Sequence, residues 1–166
     1  MAELQCVSCA TLAGRTVPPG GILYDDSYWV VFLRARPLLA PGQGFIVLKR
    51  HCERLDELTP AELTALGPML HHTQCAYDQV LRPAKVHFGL YAEEVKHLHF
   101  HITPRMPTMP AGNIRLTFLH TWTTLLAAVG LKRPFPDAIV ADAGEQLRKA
   151  FASVAASYTG ISAQGG

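Results

Sequence analysis

His97-Leu98-His99-Phe100-His101-Ile102-Thr103-Pro104-Arg105 alternates histidine with an apolar residue over its first five positions. In an extended strand, residues two apart share a face, so the three imidazoles line one side while Leu98, Phe100 and Ile102 face a core. Alternate residues lie ~6.6–6.8 Å apart along a strand, which starts His97 and His101 ~13 Å from each other. A zinc–nitrogen bond spans only ~2.0–2.1 Å, so a regular strand cannot bring all three rings onto one ion. The three histidines therefore have separate tasks, although two neighbours could still chelate.

The surrounding segments supply a fold class. Val86, Phe88 and Leu90 repeat the period of two just upstream, and Ile22–Tyr24, Tyr28–Leu33 and Phe45–Leu48 are further strand-length apolar runs. Asp25-Asp26-Ser27 and Pro41-Gly42 mark turns between them. Thr59-Pro60-Ala61-Glu62 combines a capping threonine, proline in the first turn and a Thr-x-x-Glu box, which predicts the start of a long helix. Leu63, Leu66, Leu70, Tyr77 and Leu81 then recur at helical spacing and are expected to form its buried face. Asp142–Tyr158 predicts an amphipathic helix with Leu147, Phe151 and Val154 on one side; Leu116–Leu131 is apolar but ambiguous between helix and strand. Strands mixed with one long helix, without regular βαβ alternation, indicate an α+β domain on a mostly antiparallel sheet of about five strands.

Composition narrows the functional classes. The chain has 166 residues, 49% hydrophobic and 17% charged, which suits one domain with a real core and argues against global disorder. A net charge of +2 creates no field that would favour a nucleic-acid or membrane-surface partner. No stretch approaches the ~18 apolar residues of a membrane span, and Met1-Ala2-Glu3-Leu4-Gln5 has no export-signal character. A cytoplasmic protein with reduced thiols is expected. Cys6-x-x-Cys9 by its spacing alone is compatible with redox, metal or incidental roles, and Cys52 and Cys75 read as small apolar residues.

The triplet His97-Leu98-His99-Phe100-His101-Ile102 resembles the His-φ-His-φ-His-φ-φ motif of the histidine triad (HIT) family of nucleotide hydrolases and transferases. The order of Cys6-Val7-Ser8-Cys9, Ile22-Leu23-Tyr24-Asp25, Pro41-Gly42-Gln43, Lys49-Arg50-His51 and Leu58-Thr59-Pro60 is similar to that family's landmarks. The resemblance spans residues 6–105 and implies a HIT-like domain, which is expected to occupy 1–158 with 106–158 as a C-terminal extension that carries no family motif; residues 159–166 read as a disordered tail. It implies that His99 is the nucleophile toward a nucleotide phosphorus and that His101 donates to the phosphate oxygens, with Arg105 as an added phosphate contact. An ordinary imidazole, with a pKa of ~6.5, is largely neutral and nucleophilic at pH 7, and its bond to phosphorus is labile. Relatives that begin with Cys-x-x-Cys complete a structural zinc site with two histidines, which places Cys6, Cys9, His51 and His97 as a closed Cys2His2 set. The family's habit of two-fold association implies a homodimer.

The chain also departs from the pattern. A Gly-Gln-(Ser/Thr)-Val loop usually precedes the triad, whereas here the segment is Leu90-Tyr91-Ala92-Glu93-Glu94-Val95-Lys96. Glu93 falls near a phosphate-binding position, and a carboxylate there repels phosphate unless it is paired or reaches another part of the nucleotide. Leu33-Arg34-Ala35-Arg36 lacks the carboxylate or amide that would hold a ribose, and Arg34 and Arg36 either contact a longer phosphate chain or lie solvated. The leading expectation is a hydrolase of dinucleoside polyphosphates or nucleoside phosphoramidates; His101, where uridylyltransferases have glutamine, favours hydrolysis. The alternatives are a non-catalytic nucleotide-binding domain and an unrelated metal enzyme that uses His97 and His99 as a chelating pair.

Overall fold

The computed structural model describes residues 6–162. A short helix α1 (Val7–Leu12) precedes the hairpin of β1 (Ile22–Asp25) and β2 (Trp29–Leu33), followed by β3 (Gly44–Leu48). A single 3-10 turn (Leu55–Glu57) leads into α2 (Pro60–Val80), then β4 (Lys85–Leu90) and β5 (His99–Arg105). The chain ends in α3 (Asn113–Ala128) and α4 (Asp137–Ser162). The strands form one antiparallel sheet in the order β1-β2-β3-β5-β4, which confirms the α+β class and the five expected strands. The ambiguous 116–131 segment is helical, and the backbone helix of α4 runs through the first four residues of the expected tail; residues 163–166 lie outside the described residues.

The triad strand lies inside the sheet, between β3 and β4, with Val47 opposite His99 and Phe45 and Gly89 flanking His101. Leu98 and Ile102 are buried in the main core with Trp29, Val31, Ile46 and Leu48, packed against Met69, Ala76 and Tyr77 of α2 and Leu147 and Phe151 of α4. Val30, Phe32 and Val47 form a smaller cluster with Leu12 and Phe45. Strand alternation thus divides the sheet into a thick core face and a thinner face on which the histidines stand.

Helix α2 starts as its sequence dictates. Glu62 N donates to Thr59 Oγ1 at 3.3 Å, and Thr59 N donates to Glu62 Oε2 at 2.8 Å. Of the expected buried face, Leu66, Leu70, Tyr77 and Leu81 pack against the core and Leu63 does not. Leu63 is 49% exposed, whereas Glu62, Met69, His72, Thr73, Ala76 and Tyr77 are buried, with Leu66, Leu70 and Leu81 only partly covered. The reason lies at Glu62: its carboxylate turns inward to close the cap and accepts from Arg50 Nε at 3.0 Å and Nη2 at 2.9 Å. Trp29 Nε1 also donates to the Glu62 carbonyl at 2.9 Å, which pins the first turn to β2.

This pair has a pH signature. Arg50 is the main cause that holds the Glu62 carboxyl down to about 2, well below the usual carboxylate range. The depressed value means that the stabilisation is complete above the unfolded value of ~4.3 and is lost as pH falls toward about 2. Urea unfolding of Glu62→Gln is expected to show a loss of ~1–3 kcal/mol at pH 7, and a gap from wild type that narrows steadily between pH 4.5 and pH 2.5.

Candidate functional site

Four side chains from three parts of the chain meet beside the N-terminus of α1. Cys6 and Cys9 come from that turn, His51 from the end of β3 and His97 from the approach to β5, and one donor atom of each lies within 4.8 Å of all the others. His97 Nδ1 is 3.4 Å from both sulfurs, and His51 Nδ1 is 3.3 Å from Cys9 Sγ. A tetrahedron built on Zn–N of ~2.0–2.1 Å and Zn–S of ~2.3 Å has N···S edges of ~3.5 Å, so these separations are those of a metal-ready set. The outer contacts agree. His97 Nε2 lies 2.7 Å from the Leu48 carbonyl, which only accepts, so Nε2 carries the proton and Nδ1 presents its lone pair to the sulfurs. His51 Nε2 lies 3.7 Å from the Glu53 carboxylate. The Cys/His cluster can bind a metal ion, and with four protein donors it leaves no open coordination position.

His99 and His97 do not chelate as a pair. His99 Nδ1 donates to the His97 carbonyl at 2.7 Å, which turns its other nitrogen away from the cysteines and toward His101. In the neutral form of His99, Nε2 therefore carries the lone pair. His101 Nε2 stands 3.1 Å from it and is the donor of that contact. Burial, reinforced by the neighbouring His99, Arg34 and His120, pushes His101 down to about 4, so it remains a neutral N–H donor at pH 7. Phe45 packs edge-on against both rings, at 5.6 Å from His99 and 5.1 Å from His101.

His101 forms part of the wall of a cavity of about 510 Å³, and His99, 7% exposed, sits one side chain further in. Arg34 and Gln43 line it from the β2–β3 connection, His87 and Gly89 from β4, Tyr91 from the turn beyond, and His120 from α3. Gln43 is buried and holds its loop: Oε1 accepts from Leu38 N and Leu39 N, while its carbonyl accepts from Arg34 N at 2.8 Å. Tyr91 lies edge-on to His101 at 5.3 Å. Gly89, opposite His101, makes room for the Tyr91 ring, because a β-carbon there would come within 2.8 Å of that ring.

Two expected contacts lie elsewhere. Arg105 ends β5, ~20 Å along the strand from His99, where its guanidinium donates to the Met109 carbonyl. Glu93 is exposed and outside the cavity lining, and Tyr91 from the same turn occupies the wall instead. Of the residues that sequence reasoning passed over, His120 carried no local signal, because only the return of α3 to the sheet brings it to His101. Gly89 and Tyr91 were readable only as a strand end.

Residues 15–108 match the family model described as HIT domain. Over 111 residues the chain is 31% identical to an uncharacterized HIT-like protein of Methanocaldococcus jannaschii, covering 61% of this chain and 79% of that protein. Over 89 residues it is 29% identical to the asymmetrical bis(5'-nucleosyl)-tetraphosphatase of Schizosaccharomyces pombe, covering 51% of this chain and 48% of that enzyme, so the match spans about half of the yeast protein. The fold is similar to that of a zinc-bound histidine triad family protein from Mycobacterium smegmatis, with a TM-score of 0.67, 19% identity, and coverage of 93% and 99% of the two chains.

The cluster makes a direct forecast. Metal analysis of the purified protein is expected to give about one zinc per chain, retained in His99→Ala and lost in Cys9→Ser. Chelation of that zinc is expected to lower the thermal midpoint by about 5–15 °C.

Proposed function

The chain belongs to the HIT family, and from that premise we propose that it transfers or hydrolyses a nucleotidyl group through a covalent bond to His99. The observation that carries the reading is the hydrogen bond at the sheet: the His97 carbonyl accepts from His99 Nδ1–H, which leaves the lone pair on Nε2, the nitrogen facing His101. The substrate is a nucleotide phosphoanhydride or phosphoramidate, a reading supported by the similarity to the fission-yeast tetraphosphatase.

The chemistry runs in two displacements. As substrate enters, the His101 N–H moves from His99 Nε2 to a phosphate oxygen and frees the lone pair. Nε2 attacks phosphorus; the N–P bond forms as the bond to the leaving group breaks, and the leaving group departs with that electron pair. The imidazolium that results is stabilised by its Nδ1–H bond to the His97 carbonyl. Water then attacks phosphorus, the N–P bond breaks, the pair returns to Nε2, and the water proton passes to solvent. Cys6, Cys9, His51 and His97 would hold zinc, which when bound supplies rigidity to the strand that carries His99. The reading extends to a homodimer, supported by the open edge of β4 and by Leu63, exposed on the long helix.

Kinetics test the assignment. With diadenosine tetraphosphate and a fluorogenic adenosine phosphoramidate, His99→Ala is expected to lose ~10³-fold or more in kcat, and His101→Ala about 10²–10³-fold. Wild-type protein that binds nucleotide without turning over either substrate would move the reading to a non-catalytic binding domain. His99→Ala with undiminished turnover would exclude His99 as nucleophile.

A further inference from the structure

The cavity gathers more basic groups than attack on one phosphorus requires. Besides His101, its wall carries Arg34, His87 and His120, drawn from three separate segments, and no carboxylate. Arg34 makes no ion pair among the described residues, and its charge acts on both His101 and His120, disfavouring their protonation. Arg34 is partly buried, and Gln43 fixes the backbone of its loop, accepting from Leu38 N and Leu39 N at its side chain and from Arg34 N at its carbonyl. His87 adds a buried Nε2 without a partner among the described residues. One guanidinium without an ion pair and a buried imidazole nitrogen without a partner, in a partly desolvated cavity, are best satisfied by an anion. His120 belongs to α3, beyond the 15–108 segment that matches the family, so this wall is contributed by the chain's own extension.

We propose that Arg34 and His120 form a subsite for the phosphates of the substrate other than the one attacked by His99, so that a nucleoside polyphosphate is preferred over a phosphoramidate. The catalytic side of this inference rests on the nucleotidyl-histidine reading, whereas the anion-binding side stands on the cavity alone. The phosphorus under attack lies against His99 and His101, and the linked phosphates extend past His101 along the wall where Arg34 and His120 stand. A guanidinium suits the task because it stays charged and meets two phosphate oxygens at once. His120 donates as a neutral N–H and gains charge once an anion is beside it. A phosphoramidate with a single phosphate has nothing to place there.

Two measurements test the subsite. Calorimetric titration with inorganic tripolyphosphate is expected to show binding to the wild-type protein, weakened at least tenfold in Arg34→Ala and in His120→Asn, and to an intermediate degree in Arg34→Lys, which keeps the charge but not the two-pronged contact. Equal affinity in all four proteins, or no binding to wild type, overturns the proposal. In parallel, the ratio of kcat/KM for diadenosine tetraphosphate to that for adenosine phosphoramidate is expected to fall at least tenfold in Arg34→Ala. An unchanged ratio, with both substrates slowed equally, would reduce Arg34 to a structural role and overturn the substrate preference. If wild-type protein turns over neither substrate, the covalent reading fails, and the tripolyphosphate titration decides the subsite by itself. Circular dichroism of each variant separates loss of binding from loss of fold.

Discussion

One side chain, His97, connects everything that matters in this molecule. Its Nε2 donates to the Leu48 carbonyl, its Nδ1 faces the two cysteine sulfurs, and its own carbonyl holds His99 Nδ1. The first contact ties β5 to β3, the second ties the strand to the N-terminal turn, and the third determines which nitrogen of His99 is free. Each group has one geometry that satisfies it, because a carbonyl only accepts and a neutral imidazole has one donor and one lone pair. A side chain so constrained passes its rigidity to the next histidine along the strand, where placement errors of an ångström would cost most.

The second consequence is electrostatic. Burial between Phe45 and Tyr91, with His99, Arg34 and His120 nearby, keeps His101 neutral. In the proposed reaction a neutral donor would release the His99 lone pair without first losing a proton. The sheet's two faces differ in kind: Leu98 and Ile102 anchor the strand in the core, and the alternate positions present the three histidines.

Much of this was legible in the residues. Strict alternation placed the three imidazoles on one face, and the ~13 Å between His97 and His101 already required separate roles for them. The Thr59–Glu62 box marked the helix start to the residue. At the start of the long helix, a long-range partner intervened. Leu63 fits a buried helical stripe with Leu66, Leu70, Tyr77 and Leu81, which do pack against the core, yet the neighbouring Glu62 carboxylate turns inward to Arg50, twelve residues earlier, and Leu63 stays exposed. Arg105 continues the motif in sequence, but a seven-residue strand carries it to the far end of the sheet. Arg34, which local sequence left open between a phosphate contact and a solvated loop, and His120, which had no local signal, reach the cavity wall only through the Gln43-held loop and the return of α3.

The central claim is that His99 Nε2 takes up the nucleotidyl group. Its most direct test is to quench the protein within milliseconds of mixing with diadenosine tetraphosphate and to map the adduct by peptide mass spectrometry. An acid-labile, base-stable nucleotidyl group on the peptide that contains His99, absent from His99→Ala and formed as fast as turnover, is the predicted result. Turnover at full rate with no adduct on His99, or with the group on another residue, would contradict it.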